Sequence, residues 1–319
     1  VETEPALLAP LKGLAQPELE QVVARFYHKW DNTTKYLQYA LPDSGRFYIT
    51  GHGMTPWNDL RQGTQYCLEN YRGALNAPGE WYLNTATDTL YYVPEENETA
   101  ENCVLRASAL ECMIDINGVS GLQFEGIRFT ETDWNVPSPG EWEGGWRGEN
   151  DIDALQAALD VKGVVTVQYA EDIAFTHCEF INLGADGVKL MNGVRRSRVD
   201  SCLFQNIAAT AVFAGGKNCL PEEPEAAADI TVTNNLISGY GRKFYCAIGV
   251  HITYCNGAEV SHNEITDGYY TAISCGWIWG YAYHLTKNIK ITDNLIYNIG
   301  QGWLSDMGGI YMLCVQPGT

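Results

Sequence analysis

The side chains most able to do chemistry are one carboxylate and a group of aromatic and basic residues predicted to lie near it. Asp306 lies near the end of a long turn, residues 298–308, and precedes the Gly309-Ile310 pair by three positions. A carboxylate held on such a turn can act as a nucleophile or proton donor, and aromatic faces stack on the C–H surfaces of sugars. The residues predicted to contact a substrate around it are Tyr270, Trp277, Trp279, His251, Tyr311, Asp267 and Lys189. This combination is what a sugar-cleaving groove needs.

Each of these residues also has a simpler structural explanation. Asp306 could be a turn carboxylate that accepts hydrogen bonds from backbone N–H groups. A single histidine such as His251, without a ligand partner, is more often a structural residue. Asp267 could be a turn residue, and Trp277 and Trp279 could cap the face of a sheet.

A short sequence motif that occurs five times predicts the elements that position these residues. Its central column is Cys178, Cys202, Asn235, Asn263 and Asn294, with spacings of 24, 33, 28 and 31 residues. Each copy follows a strand-like segment and precedes a small-apolar pair. These pairs are Gly187-Val188, Ala211-Val212, Ala247-Ile248, Ala272-Ile273 and Gly309-Ile310. A period in this range predicts coils of short strands that stack about 4.8 Å apart, with asparagines in a hydrogen-bonded ladder. We therefore predict an all-β fold, a right-handed parallel β-helix solenoid with a small mixed α+β N-terminal region.

The alternation of the predicted strands selects one face for chemistry. If Ile273 and Cys275 point inward, the period-2 rule places Lys189, Phe213, His251 and Tyr311 on the outer face. The turn before these strands varies in length. Counted from the central-column residue to the first residue of the small-apolar pair, the five copies span 9, 9, 12, 9 and 15 residues. Loops carried by a rigid scaffold often hold functional groups, which favours the longest turn, the one with Asp306.

Two regions differ in their sequence pattern. Residues 1–100 do not repeat and are predicted to be α+β. Pro17 opens an amphipathic helix with Leu19, Val22, Val23, Phe26 and Trp30 on one side, and residues 79–83 and 89–94 form a β-hairpin. Residues 101–319 are predicted to be parallel β-helix coils with loop excursions at 133–162 and 220–229.

Charge and cysteine usage limit the partners. The chain has 319 residues, with 20 Lys+Arg against 39 Asp+Glu and a formal net charge of −19. Nucleic acids and anionic membranes are bound by clustered basic residues, so neither is expected as a partner. The ten cysteines include no CxxC pair and no zinc-type spacing with histidine, so they are predicted to be buried thiols, and no metal or cofactor is expected.

Four segments resemble a known family. They are Gly79-Glu80-Trp81-Tyr82-Leu83 with Leu90-Tyr91-Tyr92-Val93-Pro94, Gly268-Tyr269-Tyr270-Thr271-Ala272-Ile273-Ser274-Cys275-Gly276-Trp277, Ser305-Asp306-Met307-Gly308-Gly309-Ile310-Tyr311, and Gln316-Pro317-Gly318-Thr319. Together they resemble bacterial right-handed parallel β-helix glycoside hydrolases. Two related groups are the β-helix β-xylosidases and the β-helix α-L-fucosidases and xylanases that act on plant cell-wall glycans.

The resemblance implies a glycosidase that acts on oligosaccharides or polysaccharides, with Asp306 as one of two catalytic carboxylates and with retention of configuration. It places the second carboxylate on coils after Thr319 and a β-helix cap before Val1, so by this resemblance the chain looks truncated at both ends. The remaining part of the same enzyme, as a separate chain, is then a further expected partner. The compartment stays open. Two alternatives also stay open: a polysaccharide lyase or epimerase, which would need Lys or Arg beside a uronate, and a non-catalytic carbohydrate-binding β-helix.

Overall fold

The computed structural model describes residues 1–51, 54, 57–133, 156–159, 161–216, 225–278, 280–281 and 283–319. Trp279 and most of the excursions predicted at 133–162 and 220–229 lie outside the described residues. The helices are the single turns Pro5–Leu8 (α1) and Gln16–Leu19 (α2), with 3₁₀ turns at Ala9–Leu11, Pro42–Ser44, Arg72–Ala74 and Gln156–Ala158. In the described segments, no helix is long and apolar enough to cross a membrane.

The described strands are short and follow one another closely along the chain. They are Val23–Tyr27 (β1), Asn32–Leu41 (β2), Arg46–Ile49 (β3), Gln65–Glu69 (β4), Trp81–Asn84 (β5), Thr89–Tyr92 (β6), Ile114–Asn117 (β7), Gln123–Glu125 (β8), Arg128–Thr130 (β9), Gly163–Gln168 (β10), Ala174–Thr176 (β11), Glu179–Leu183 (β12), Asp186–Leu190 (β13), Arg195–Asp200 (β14), Leu203–Ile207 (β15), Val212–Ala214 (β16), Ala227–Thr233 (β17), Leu236–Ser238 (β18), Val250–Ile252 (β19), Cys255–Ser261 (β20), Glu264–Thr266 (β21), Ile273–Cys275 (β22), Lys287–Thr292 (β23), Leu295–Tyr297 (β24) and Ile310–Met312 (β25).

Strands β7 to β25 form three parallel sheets. The first has the order β7-β10-β13-β16-β19-β22-β25, the second β8-β11-β14-β17-β20-β23, and the third β9-β12-β15-β18-β21-β24. Three consecutive strands, one from each sheet, are called a round below. Each strand therefore pairs with the equivalent strand of the next round, and equivalent residues form columns.

One column is a buried asparagine ladder between the second and third sheets. The Oδ1 atom of Asn235 accepts from the backbone N–H of Cys202 at 2.9 Å. Asn235 donates from Nδ2 to Oδ1 of Asn263 at 2.9 Å, and Asn263 donates in the same way to Asn294 at 2.9 Å. The ladder confirms the predicted column, and Cys178 and Cys202, which continue it, are buried thiols.

Three further columns consist of residues in the left-handed backbone conformation. The residues before the ladder are His177, Ser201, Asn234, His262 and Asp293, with φ between 52° and 57°. A second column contains Asp172, Arg196, Asp229, Gly257 and Asn288, and a third contains Asn182, Asn206, Gly239, Asp267 and Asn298. Asn, Asp and Gly adopt positive φ most readily and occupy eleven of these fifteen corner positions, and the others are His177, His262, Ser201 and Arg196.

The core lies between the parallel sheets. Inward columns contain apolar residues such as Val188, Val212 and Val250, which are fully buried. Phenylalanines stack between rounds, with Phe180 and Phe204 at 4.6 Å between ring centroids. Burying equivalent apolar side chains against one another stabilises rounds that are too small to form a core alone.

The remaining strands are antiparallel. One sheet has the order β3-β2-β1-β4, and β5 pairs with β6 as the predicted hairpin, with Trp81 opposite Tyr92. The chain divides into two compact units, one built from residues 1–28 and 32–106 and the other from 29–31, 107–133 and 156–319. The first unit has its own core, which includes Leu8, Leu37 and Phe47.

The predicted fold class is wrong as stated. The parallel strands are distributed over three separate sheets, and an antiparallel sheet and a hairpin are formed by other strands, so a single right-handed parallel β-helix solenoid does not describe the chain. Nor is the N-terminal region mixed α+β, because its described helices are single turns. The described chain is mostly β, with little helix.

Two local predictions are also wrong. The amphipathic helix predicted from Pro17 ends after one turn, and Val23 and Phe26 instead belong to β1, which is buried along its whole length. The strand predicted to open at Ala247-Ile248 begins at Val250. A Cβ atom on the preceding Gly249 would lie 2.7 Å from the carbonyl oxygen of Ala272, so only glycine fits there without displacement of the backbone.

Candidate active site

One polar and aromatic column follows the first parallel sheet. The strand register places Thr166, Lys189, Phe213, His251, Ser274 and Tyr311 side by side on successive strands. Their neighbours in β10, β13, β16, β19 and β22 point into the core, as the period-2 rule requires, whereas Ile310 and Met312 of the last strand, β25, are exposed. The predicted alignment of Lys189, Phe213, His251 and Tyr311 in one column is therefore confirmed, but Lys189, Phe213 and His251 are buried rather than exposed on an outer face.

Lys189 forms the buried end of this column. Its ammonium lies 2.9 Å from Oδ2 of Asp186, and both side chains are almost fully buried. It also donates to the carbonyl oxygen of Val161 at 2.6 Å and lies 4.7 Å from the ring centroid of Phe213. Asp186 in turn accepts from the backbone N–H of Thr210 at 2.8 Å. This ammonium thus neutralises a buried carboxylate, which needs such a partner.

His251 lies next in the column and is fully buried. Its ring meets Phe213 edge to face at 5.0 Å and Trp277 at 4.9 Å. Neither ring nitrogen has a hydrogen-bond partner in the described structure. Burial, together with the positive charge of Lys189, lowers the pKa of His251 to about 3, so the ring is neutral at ordinary pH.

Trp277 covers the column from the segment that follows β22. Its Nε1 donates to Oγ of Ser274 at 3.0 Å, and its carbonyl oxygen accepts from the hydroxyl of Tyr254 at 3.0 Å. The residue has a φ of 87° and only 3% of its surface is exposed. The indole therefore packs inside the protein as a lid over Ser274 and His251.

Asp306 lies in the turn between β24 and β25, which we call the Asp306 turn (residues 298–309). Its side chain is exposed, and its backbone has a φ of 60°. The hydroxyl of Tyr311, the last residue of the polar column, donates to its Oδ1 at 3.5 Å, the outer limit of a hydrogen bond. Burial and the charge of Asp306 raise the pKa of Tyr311, so its hydroxyl stays a proton donor to the carboxylate.

Two buried tyrosines support the Asp306 turn from earlier rounds. The hydroxyl of Tyr270 donates to the backbone carbonyl of Asp306 at 2.7 Å and accepts from Nε2 of Gln156 at 3.4 Å. The hydroxyl of Tyr240 donates to the carbonyl of Tyr270 at 3.2 Å. Burial raises the pKa of both tyrosines, so both hydroxyls remain donors. The position of the carboxylate therefore depends on hydrogen bonds that pass from round to round.

A second aromatic group borders the same turn and was not predicted. Tyr245 stacks on Tyr269 with 4.6 Å between ring centroids, and Trp303 lies 5.7 Å from Tyr245. The guanidinium of Arg242 lies 5.3 Å from the Tyr269 ring centroid. The alignment of turns from successive rounds was the signal that could have found this group, because each ring comes from the same turn of a different round.

The predicted site residues thus fall into three places. Asp306, Tyr270 and Tyr311 are brought together at the Asp306 turn. Lys189 and His251 form the buried part of the column, and Trp277 packs over it. Ser274 lies between His251 and Tyr311 in the strand register and so connects this buried part to the Asp306 turn. Asp267 is a corner residue of the third left-handed column, and Trp279 lies outside the described residues. The substrate-contacting roles of these residues stay predictions. In the segments that the structure describes, no group of three or more His, Cys, Asp or Glu residues could hold a metal ion.

Comparisons with known proteins support the fold. No protein-family model matches the chain, and no curated protein matches it significantly. The structure is similar to a solved structure described as a glycoside hydrolase, with a TM-score of 0.81 and 22% sequence identity. The match covers 98% of this chain and 60% of that one, so the chain spans about three fifths of that protein's length. At this identity the likeness shows a shared fold.

Proposed function

We propose that the protein is a glycoside hydrolase in which Asp306 is one of two catalytic carboxylates. The observation that carries this proposal is an exposed carboxylate whose backbone is held by the buried Tyr270 and whose side chain accepts from Tyr311. The fold shared with a glycoside hydrolase supports the same activity. A carboxylate held in place in this way loses little conformational freedom when a sugar binds.

The proposed chemistry is cleavage of a glycosidic bond with retention of configuration. Asp306 would serve as nucleophile or as acid and base, opposite a second carboxylate about 5–5.5 Å away. The proposed substrates are oligosaccharides or polysaccharides of plant cell walls.

The lyase or epimerase alternative receives less support. Such enzymes need a cation to neutralise the substrate carboxylate. The lysine of the polar column, Lys189, is buried and faces Asp186 and the carbonyl of Val161. Its charge is thereby neutralised within the protein, so this alternative would have to use the exposed Arg242, whose guanidinium lies over the ring of Tyr269.

The test compares Asp306→Asn with a matched control, Asp293→Asn. Both aspartates are exposed and have positive φ, which Asn tolerates, so neither change should disturb the backbone. We expect Asp306→Asn to lower the release of aryl alcohol from aryl β-xylosides, α-L-fucosides, α-L-arabinosides or β-galactosides by roughly 10³-fold or more, because a group in the reaction is lost. Asp293→Asn should keep the parent rate.

Product stereochemistry then tests the mechanism. Proton NMR of the first-formed sugar should show the anomer of the substrate if configuration is retained. Both variants are assayed in the full-length protein. Equal release by the parent and Asp306→Asn would refute the role of Asp306, and no release from any of the four glycosides by the full-length protein would refute the glycosidase proposal. An inverted product would refute retention alone.

A further inference from the structure

The aromatic stack of Tyr245, Tyr269 and Trp303 is built from one turn of three successive rounds. Tyr245 lies between β18 and β19, Tyr269 between β21 and β22, and Trp303 between β24 and β25. Tyr245 and Tyr269 are inclined by only 21°, whereas Trp303 is tilted by 51° to Tyr245. Arg242 lies over Tyr269. The turn that holds Asp306 therefore also holds one end of this stack.

The stack differs from the aromatic residues of the core. Core rings such as Phe180 and Phe204 are fully buried, whereas 44% of Trp303 is exposed and the two tyrosines are partly exposed. Tryptophan usually buries most of its large apolar surface. A tryptophan held at the surface by packing against a second ring is a preorganised platform, which loses little entropy when a ligand covers it.

The position and chemistry of the stack indicate which class of ligand it could bind. Trp303 and Asp306 are three residues apart in one turn, so a molecule that reacts at Asp306 passes near the indole. Aromatic rings with polar edges present both a stacking face and hydrogen-bonding groups, and Arg242 adds further donors. A net charge of −19 opposes a polyanionic chain and leaves neutral sugars as the favoured class.

We propose that this aromatic stack is a subsite for a further neutral sugar unit of the chain whose bond is cleaved at Asp306. The proposal rests on the proposed glycosidase activity and extends it, because it makes the protein selective for oligosaccharides over single glycosides. Trp303 provides the stacking face, and Tyr245 and Tyr269 hold the indole in place.

The experiment measures how binding depends on chain length. Xylobiose, xylotetraose and xylohexaose are titrated calorimetrically into the Asp306→Asn protein, which would bind without cleavage, and into the same protein with Trp303→Ala, Trp303→Phe or Trp81→Ala. Trp81 is a matched control, because it is 62% exposed and belongs to the β5–β6 hairpin. We expect Trp303→Ala to weaken xylohexaose binding by roughly two- to tenfold, the range of one aromatic contact.

The affinity for xylohexaose relative to xylobiose is the deciding quantity. The ratio should fall in Trp303→Ala, recover at least in part in Trp303→Phe, and stay at the parent value in Trp81→Ala. An unchanged ratio in Trp303→Ala, or no binding of any of the three sugars by Asp306→Asn, would overturn the subsite. Thermal unfolding of each variant separates a loss of the ring from a loss of the fold.

The two proposals fail in different measurements. Aryl glycosides carry one sugar and report the reaction at Asp306, whereas the length ratio is measured without any cleavage. Loss of the length preference with intact release from aryl glycosides would remove the subsite and leave the glycosidase. If no aryl glycoside is cleaved but the length preference still depends on Trp303, the glycosidase proposal is refuted and the sugar-binding role of the stack remains.

Discussion

The asparagine ladder and the turn between the third and first sheets use the same rounds in opposite ways. At the ladder, Asn235, Asn263 and Asn294 occupy one position, and each donates from Nδ2 to a backbone carbonyl of the preceding round. At the other turn, Gly249 follows Asn235 by 14 residues and Gly309 follows Asn294 by 15, whereas 9 residues suffice in the other three rounds.

Within each round, the ladder position contributes to stability, whereas the variable turn holds the exposed groups that could take part in chemistry. Asn235 and Asn263 are buried, Asn294 is partly buried, and their amide groups form hydrogen bonds within the protein, so a change of length or type there would leave polar groups unpaired. The lengthened turns contain the exposed groups Asp306, Trp303 and Arg242. A rigid scaffold can vary its loops at little cost in stability, which allows function to develop there.

The largest effect on stability is expected from Asn263→Ala, in the middle of the ladder. This side chain accepts from the N–H and Nδ2 of Asn235 and donates to the carbonyl of Val232, all within a buried corner. Removing it leaves several buried groups unpaired and should lower the free energy of unfolding by about 4 kcal/mol. Urea denaturation would measure the loss.

Asn206→Gly is the control for the ladder prediction. Asn206 donates to Asn182 at 2.8 Å in an equivalent pairing between rounds, but at an exposed corner with a φ of 56° that glycine tolerates. We expect a change within about 0.5 kcal/mol. A loss as large as that of Asn263→Ala would show that burial of the ladder is not what makes it stabilising.

A smaller, pH-dependent effect is expected at His251. Its pKa is about 3 in the folded chain against the ordinary value of 6.5, because burial and the charge of Lys189, itself paired with Asp186, disfavour the imidazolium. The unfolded chain therefore binds more protons between these values, and the stabilising effect of the neutral ring is lost as the pH falls below 6.5 towards 3. Between pH 7 and pH 5 this residue alone should cost about 2 kcal/mol.

The variant His251→Phe removes the pH-dependent contribution of this imidazole to stability. Phenylalanine fits between the rings of Phe213 and Trp277 without a titrating group, and His251 has no hydrogen bond to lose in the described structure. We expect the parent and the variant to be close in stability at pH 8 and to diverge as the pH is lowered, with the variant more stable. Parallel stability curves from pH 8 to pH 5 would contradict the assignment.

The smallest effect on stability is expected from Tyr270→Phe, which tests how far the variable turn depends on the scaffold. Loss of the hydrogen bond to the Asp306 carbonyl should cost about 1 kcal/mol. Because the carboxylate would be less precisely held, glycoside release should fall by roughly tenfold. Tyr297→Phe, which removes a hydroxyl bound to Glu264 on the face of the third sheet, should change neither quantity by a comparable amount. Full activity in Tyr270→Phe would show that Asp306 is positioned by other contacts.

Much of the repeating architecture could be predicted because it depends on local spacing. The ladder column, the hairpin of β5 and β6, and the alignment of Lys189 with His251 and Tyr311 all follow from short patterns that the structure repeats. Strand β1 could not be predicted in this way. Val22, Val23 and Phe26 fit a helical spacing as well as a strand, and pairing with β2 and β4, distant in sequence, decides between them.

The candidate site was less predictable than the ladder and strand columns, because it depends on how turns fold back. The start of β19 was predicted at Ala247-Ile248 but lies at Val250. The turn before this strand folds back so that Phe244 is buried and its N–H donates to the carbonyl of Ala208. The burial of His251 depends on Trp277, which packs back over the sheet from a following segment. The support of Asp306 by Tyr270 depends on one side-chain orientation, which no sequence pattern specifies.

The left-handed corner columns make the rounds interchangeable units. Ser201, Asn234, His262 and Asp293 have nearly the same backbone conformation, so a segment that starts and ends at two of them leaves the chain pointing in the same direction as before. Duplication or deletion of such a segment preserves the strand pairing on either side. The molecule could therefore gain or lose whole rounds in evolution through single recombination events, and each added round would bring a new copy of the variable turn beside the existing ones.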